Sequence, residues 1–140
     1  MIVRRASAGD AEALTACIVA AYAPFQSLDL PPVAEGIAED IRDHSVWVAE
    51  VSGVVSGGIF VTFTDHAHIA NLAVHPDASG QGIGKVLVDQ ACAAARAAGY
   101  ATIHLATHAD MTATQAFYRK SGWSEAGHDG KKVYFQKQLG

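Results

Sequence analysis

The chain has 140 residues, half of them hydrophobic, and 14 acidic against 10 basic residues give a formal net charge of −4. This length suits one domain, and the apolar fraction excludes a disordered chain. The basic residues are too scattered for a nucleic-acid-binding stripe, and no apolar run approaches the ~18 residues of a membrane span. Neither nucleic acid nor membrane is an expected partner, and the lack of a secretory signal makes the cytoplasm the expected location.

Metal binding is not predicted. Cys17 and Cys92 lie far apart in the sequence and form no CxxC pair, which argues against a zinc site or a redox motif. Asp65, His66 and His68 could hold a metal at a strand edge. The seven histidines are, however, spread through the chain, so we expect no functional metal.

Hydrophobic periodicity and turn residues divide the chain into strands and helices. Three strands in the middle have connections too short for crossovers and should form an antiparallel meander, while a later strand follows a helix and should lie parallel. Gly57-Gly58 indicate a bulge or a close approach. The predicted strands cover 2–6, 46–51, 54–63, 67–74, 102–106, 123–126 and 132–139, the predicted helices cover 11–22, 33–42, 83–98 and 112–120, and 25–32 is a loop.

These elements predict one α/β (α+β) domain over residues 1–140. It has a mixed sheet of six to seven strands flanked by about four helices, and it ends in a hairpin around Asp129-Gly130. No repeat or linker interrupts it.

The strongest local signal is the series Gly80, Gly82 and Gly84 between a predicted strand and the longest predicted helix. Glycines let the backbone approach a ligand, and the start of a helix offers free N–H groups that suit a phosphate. Lys85 adds a cation at the rim. The spacing fits neither a P-loop, which needs GxxxxGK[ST], nor the GxGxxG of a dinucleotide fold.

Residues 74–84, Val-His-Pro-Asp-Ala-Ser-Gly-Gln-Gly-Ile-Gly, resemble the acetyl-CoA loop of the GNAT superfamily of N-acetyltransferases. Residues 116–123, Ala-Phe-Tyr-Arg-Lys-Ser-Gly-Trp, resemble a late motif of that family, and 69–74 resembles its fourth strand. The resemblance covers nearly the whole chain and implies the acyl-CoA N-acyltransferase fold, with acetyl-CoA (coenzyme A) as cofactor. Two departures are Ser79, at a usual Arg or Gln, and Met111, where many relatives carry Asn.

The resemblance also implies roles for individual residues. The fourth strand should splay from the fifth, so that the pantetheine arm pairs with the freed backbone. The Val74 N–H is then the oxyanion donor and Tyr118 the general acid for the coenzyme A thiolate. The implied cofactor contacts are Leu72, Ala73, Val74, Ser79, Gly80, Gln81, Gly82, Ile83, Gly84, Lys85 and Phe117.

The general base is less well defined. Many relatives carry Glu at the position of Ala70 or near Ala106, and both are Ala here. Strand alternation puts His68 on the same face as Ala70 unless a bulge intervenes, which makes His68 the first candidate. A water chain or an amine of low pKa makes a base unnecessary. The weaker candidates are Asp65, His104 and His108.

By resemblance, the acceptor site lies across the sheet from the cofactor, between the first helix–loop–helix and the last hairpin. Its predicted wall residues are Tyr22, Phe25, Gln26 and, opposite them, Tyr134. The acidic residues that could attract an amine, or simply form a solvated face, are Asp29, Glu35 and Glu39.

The leading hypothesis is an N-acetyltransferase that moves the acetyl group of acetyl-CoA to a primary amine by direct attack. A small-molecule acceptor is preferred over a protein because no recognition domain is appended. The alternative is a non-catalytic acyl-CoA binding module or sensor, which the missing Glu residues favour and Tyr118 opposes. A different nucleotide-binding enzyme is a third reading. The resemblance allows a homodimer, although nothing in the sequence marks an interface.

Overall fold

The computed structural model describes residues 1–28, 30 and 33–140. Asp29 and the Pro31-Pro32 pair of the predicted loop therefore lie outside the described residues. The elements, in chain order, are β1 (Ile2–Arg5), α1 (Ala11–Tyr22), α2 (Ile37–Asp43), β2 (Ser45–Val51), β3 (Val54–Phe63), β4 (Ala67–Val74), α3 (Ile83–Ala97), β5 (Thr102–His108), α4 (Thr112–Lys120), β6 (Ser124–Asp129) and β7 (Lys132–Gln138).

The seven strands form one mixed sheet in the order β1-β2-β3-β4-β5-β7-β6, which confirms the predicted fold class. Only β4 and β5 are parallel, and α3 makes the crossover between them. Helices α3 and α4 cover one face of the sheet, and α1 and α2 cover the other. In the described part of the chain, no helix is long and apolar enough to cross a membrane.

Most predicted elements are found with small shifts, but the second helix was predicted to begin too early. Residues 33–36 form a turn, and α2 starts only at Ile37, because Gly36 adopts a left-handed backbone (φ 71°) that an α-helix cannot contain. The strand predicted over 102–106 runs on to His108, since β7 pairs with it along its whole length. For the same reason β6 continues to Asp129.

The close approach predicted at Gly57-Gly58 is present on both faces of the sheet. A Cβ atom on Gly57 would lie 2.9 Å from Cγ2 of Ile83 in α3, and one on Gly58 would lie 2.5 Å from Cδ1 of Leu14 in α1. The shift in the pairing with β2 leaves Ser56, the residue before this pair, as an extra residue in β3. These two glycines therefore let both helices pack directly against the centre of the sheet.

A second bulge lies in β4. Phe60 of β3 pairs with Asn71 and Val61 pairs with Ile69, so Ala70 is an extra residue without a partner in β3. An extra residue reverses the alternation of side chains beyond it. Leu72 consequently faces α3 and α4, as Ile69 does, although the two are an odd number of residues apart.

The packing at Gly58 gives a test of the fold. We expect Gly58→Ala to destabilise the protein by about 1–3 kcal/mol, because the new methyl group must displace the fully buried Leu14. Gly9→Ala is the matched control, since nothing lies within 4 Å of its Cβ position and its φ is not positive. Urea unfolding of both variants measures the difference. Equal midpoints would show that Leu14 moves aside without cost.

Candidate active site

The site is a gap between β4 and β5. These strands pair only at Ala67 with Ile103 and at His68 with His104, and they separate beyond the bulge at Ala70. β5 remains in the sheet because β7 pairs with it on its other side. The gap opens into a cavity of about 540 Å³. Its described lining comprises Ala21, Tyr22, Phe25, Leu30, Val33, His68, Ile69, Ala70, Asn71, Leu72, Ala73, Val74, Gly84, Leu105, Ala106, Thr107, His108, Met111, Ala113, Thr114, Phe117, Tyr118, Lys131 and Lys132.

The backbone of β4 offers hydrogen-bonding groups to this gap. The N–H of His75 donates to the carbonyl of Ser56 at 2.8 Å, so His75 faces β3. Backbone groups alternate in direction along a strand, and therefore those of Ala73 also face β3 while those of Leu72 and Val74 point toward β5. Since β5 has moved away, both N–H groups face the cavity.

The glycine-rich loop provides a second set of donors. Gly80 and Gly82 adopt left-handed backbones (φ 80° and 78°), and nothing lies within 4 Å of a Cβ placed on either. The first bond of α3 runs from the N–H of Val86 to the carbonyl of Gly82, so the N–H groups of 83–85 have no acceptor within the helix. Open space in front of free N–H groups at a helix start suits a phosphate.

The side chains of the loop and of the first turn of α3 differ in their surroundings. Ile83 is buried in the core, and Gly84 packs against Phe117, whose nearest ring carbon lies 3.4 Å from the glycine's Cβ position. Nζ of Lys85 pairs with Asp89 at 3.0 Å on the exposed face of α3. Ser79 and Gln81 are exposed.

Tyr118 lines the cavity from α4. Its ring is buried and makes edge-to-face contacts with Phe117 and Trp123, with centroids 5.1 and 5.4 Å apart. Burial raises the pKa of the phenol above its usual range of about 10, so the hydroxyl keeps its proton at neutral pH. The arrangement fixes a hydrogen-bond donor at the wall of the gap.

His68 lies on the other face of the sheet, toward α1. It is half-buried beside His104, whose ring also contacts that of His66 at 5.2 Å. Burial, and secondarily the neighbouring His104, lower the pKa of His68 below its usual value of about 6.5, so its ring is neutral at pH 7. His68 lines the cavity, whereas Asp65 and His104 are not among its described lining residues.

Asn71 lines the cavity, although regular alternation of side chains along β4 would not place it there. Because of the bulge at Ala70, Asn71 lies on the face of the sheet that carries His68. The hydroxyl of Tyr22 donates to Oδ1 of Asn71 at 2.9 Å, and the amide of Asn71 reaches the carbonyl of Val33 at 3.4 Å. The sequence signal that could have identified Asn71 is a polar residue within a largely apolar strand.

The predicted acceptor residues are only partly brought together. Tyr22 and Phe25 line the cavity, while Gln26 and Tyr134 do not belong to its described lining. Tyr134 nevertheless pairs with Ala106 and shares its face of the sheet. Glu35 and Glu39 lie outside that lining, and Asp29 lies outside the described residues. The lining residues that sequence reasoning missed include Leu30, Val33, Thr107, Ala113, Thr114, Lys131 and Lys132.

Two further observations concern the chemistry of the lining. Oγ1 of Thr107 is buried and finds no hydrogen-bond partner in the described part of the chain, so a polar group of a ligand would satisfy it. Within residues 1–28, 30 and 33–140, no three His, Cys, Asp or Glu side chains are grouped so that they could hold a metal ion. Met111 lines the cavity just before α4 and offers no amide.

Comparison with known proteins identifies the class. The model of the acetyltransferase (GNAT) family matches residues 15–123, and the chain therefore belongs to this family, whose cosubstrate is acetyl-CoA. An uncharacterised N-acetyltransferase of Chlorobaculum tepidum is 30% identical over 139 residues, which are 98% of this chain and 81% of that protein.

Solved structures show the same fold at low sequence identity. The PaiA N-acetyltransferase of Thermoplasma acidophilum, crystallised with coenzyme A, matches with a TM-score of 0.87 at 19% identity over 98% of both chains. A GNAT-family acetyltransferase of Staphylococcus aureus matches with a TM-score of 0.84 at 17% identity over 99% of both chains.

The geometry of the loop gives a test of the cofactor site. We expect Gly82→Glu to weaken coenzyme A binding roughly 100-fold, because like charges placed in contact cost several kcal/mol. Gly82→Ala introduces the same backbone strain without the charge and should weaken binding far less. Calorimetric titration of both variants with coenzyme A measures the effect.

Gly99→Glu is the control for a new carboxylate on a left-handed residue. Gly99 follows α3 at its far end, with φ 93° and open space around it. A folded Gly82→Glu variant that binds coenzyme A as tightly as the Gly99→Glu control would exclude this loop as the phosphate site.

Proposed function

We propose that this chain, with residues 1–140 acting as one domain, transfers the acetyl group of acetyl-CoA to the primary amine of a small molecule by direct attack. The observation that carries the proposal is one cavity lined from both faces of the sheet at the β4–β5 gap. Such a cavity lets a thioester and an amine meet from opposite sides.

The cofactor half of the proposed site faces α3 and α4. Backbone groups of Leu72 and Val74 would pair with the amides of the pantetheine arm, since β5 leaves them unpaired. The N–H groups at the start of α3 would bind the pyrophosphate. The hydroxyl of Thr107, which has no partner in the described residues, offers a further contact to the arm. Met111 has no side-chain amide that could make such a contact.

The chemical steps follow from this placement. The amine attacks the thioester carbonyl as its free base, and the Val74 N–H stabilises the oxyanion that forms. As the carbon–sulfur bond breaks, the sulfur takes a proton from the hydroxyl of Tyr118, and the amine nitrogen loses one. The net reaction thus moves one proton from nitrogen to sulfur, and Tyr118 regains its proton because burial disfavours phenolate.

His68 is the proposed acceptor of the amine proton, directly or through water. It lines the cavity on the acceptor face, and its neutral ring can take a proton at pH 7. Tyr22, Phe25, Leu30 and Val33 cover this half of the cavity, which favours a small acceptor over a folded protein. The cytoplasmic location and a homodimer stay predictions.

A non-catalytic acyl-CoA binding module is the second candidate. One observation favours it, because the described lining of the cavity contains no carboxylate that could act as a base. Ala70 and Ala106, the two positions considered for a Glu base, are exposed. In that case the site would bind coenzyme A without turnover.

The test is acetyl-CoA turnover against a panel of amines, followed by release of free thiol, with coenzyme A binding titrated in parallel. We expect turnover, and we expect Tyr118→Phe to lower kcat roughly 100- to 10,000-fold while coenzyme A affinity stays within about threefold. The phenylalanine ring keeps the contacts with Phe117 and Trp123, so the variant removes only the hydroxyl. Tight binding without turnover on any amine would favour the binding module.

The pH profile tests His68. We expect His68→Gln to lower kcat/KM at pH 7 roughly 100-fold. In the wild type, activity should fall only below about pH 6.5, since the pKa of His68 is lowered and the base is lost as pH drops through it.

His104→Gln is the matched variant, because it removes the neighbouring charge that helps lower the pKa of His68. The acidic limb of the pH profile of His104→Gln should move to higher pH, while the activity of this variant at pH 8 is kept. An acidic limb that survives in His68→Gln would assign the titration to another group.

A further inference from the structure

The charges that line the cavity differ from those of the chain as a whole. Acidic residues outnumber basic ones, 14 to 10. Among the described lining residues the balance is reversed, because Lys131 and Lys132 take part and no Asp or Glu does. A cavity lined in this way disfavours an acceptor that carries only positive charge and attracts one that also carries an anion.

Lys132 belongs to the acceptor half of the cavity. Its neighbours on β7, Val133 and Phe135, pack into the core beneath α3 and α4, so alternation directs Lys132 to the face of α1 and α2. The glycine-rich loop opens α3 and lies on the opposite face. The ammonium group therefore stands across the sheet from the site proposed for the phosphates.

His108 is the register partner of Lys132 and shares its face. Nδ1 of His108 accepts the backbone N–H of Asp110 at 3.0 Å, which leaves Nε2 as the ring nitrogen that carries a proton. The side chain of Gln115 donates to the carbonyls of His108 and Ala109 at 3.1 and 2.9 Å and holds this end of β5 in place. His108 and Lys132 are thus cross-strand neighbours that both line the cavity.

The side chain of Lys132 is exposed and enters no ion pair within the part of the chain that the structure describes. A carboxylate has two oxygen atoms and can accept hydrogen bonds from an ammonium group and an imidazole N–H together. On these grounds we propose that the acceptor is a small amine that also carries a carboxylate, as an amino acid does, and that Lys132 and His108 bind this carboxylate. The inference rests on the proposed function.

The test compares amino acids with the corresponding amino-acid amides as acceptors, with kcat/KM expressed per free amine. The wild type should prefer the carboxylate member of each pair by about tenfold or more, as expected for a charge-assisted contact. Lys132→Gln should reduce this ratio about tenfold, and Lys132→Arg should largely restore it. Lys120→Gln, at the exposed end of α4, is the control and should leave the ratio unchanged.

Each other outcome is distinguishable. A wild type that acetylates amines without preferring the carboxylate member would overturn this inference and leave the proposed function standing. The same holds if Lys132→Gln loses activity equally on both members, or if it weakens coenzyme A binding in the parallel titration, which would place Lys132 with the cofactor. Binding of coenzyme A with no turnover of any acceptor would defeat the proposed function, and this inference with it.

Discussion

The rest of the site depends on a pair of parallel strands that stay together for only two residue pairs. In a continuous sheet, the backbone groups of Leu72 and Val74 would bond to β5. Here they face a cavity, and a buried polar group without a partner costs about 1–3 kcal/mol. The sheet therefore requires water or a ligand with amide groups in the gap. The bulge at Ala70 and the continuous pairing of β5 with β7 together keep the gap open.

The same region of the sheet also positions both groups of helices. Gly57 and Gly58 lie on β3, directly beside the open part of β4, and they admit Ile83 from one face and Leu14 from the other. The start of α3 is thereby held close to the gap, with the free N–H groups of its first turn beside the strand that carries Val74. On the opposite face α1 comes near enough for Tyr22 to bond Asn71. The absence of side chains at Gly57 and Gly58 thus brings the proposed phosphate site and the proposed acceptor site to one opening.

Much of this arrangement could be read from the sequence, because it is encoded in local chemistry. Helical periodicity located α1 and α4, and the glycine-rich loop located the start of α3. The bulge at Ala70 could not be read, since Ile-Ala-Asn-Leu fits regular alternation equally well and only pairing with β3 shows the extra residue. Lys132 was missed for a related reason, because its place beside His108 follows from the register of β5 and β7. Local sequence determines where helices and strands form. The face of the sheet on which a side chain lies depends also on pairing with strands that are distant in the chain.

The short contact between β4 and β5 divides the hydrogen bonding of the sheet into two parts. The sheet consists of one block, β1 to β4, and a second block, β5 to β7, joined by two residue pairs, by the crossover through α3 and by a hydrophobic core that contains residues of both blocks. A pantetheine arm lying in the gap would take the place of the missing pairing between β4 and β5. Its amide groups would then connect the hydrogen bonding of the two blocks. The cosubstrate would then be part of the sheet while it is bound, and its departure would leave the hydrogen-bonding groups at the gap between β4 and β5 unpaired again.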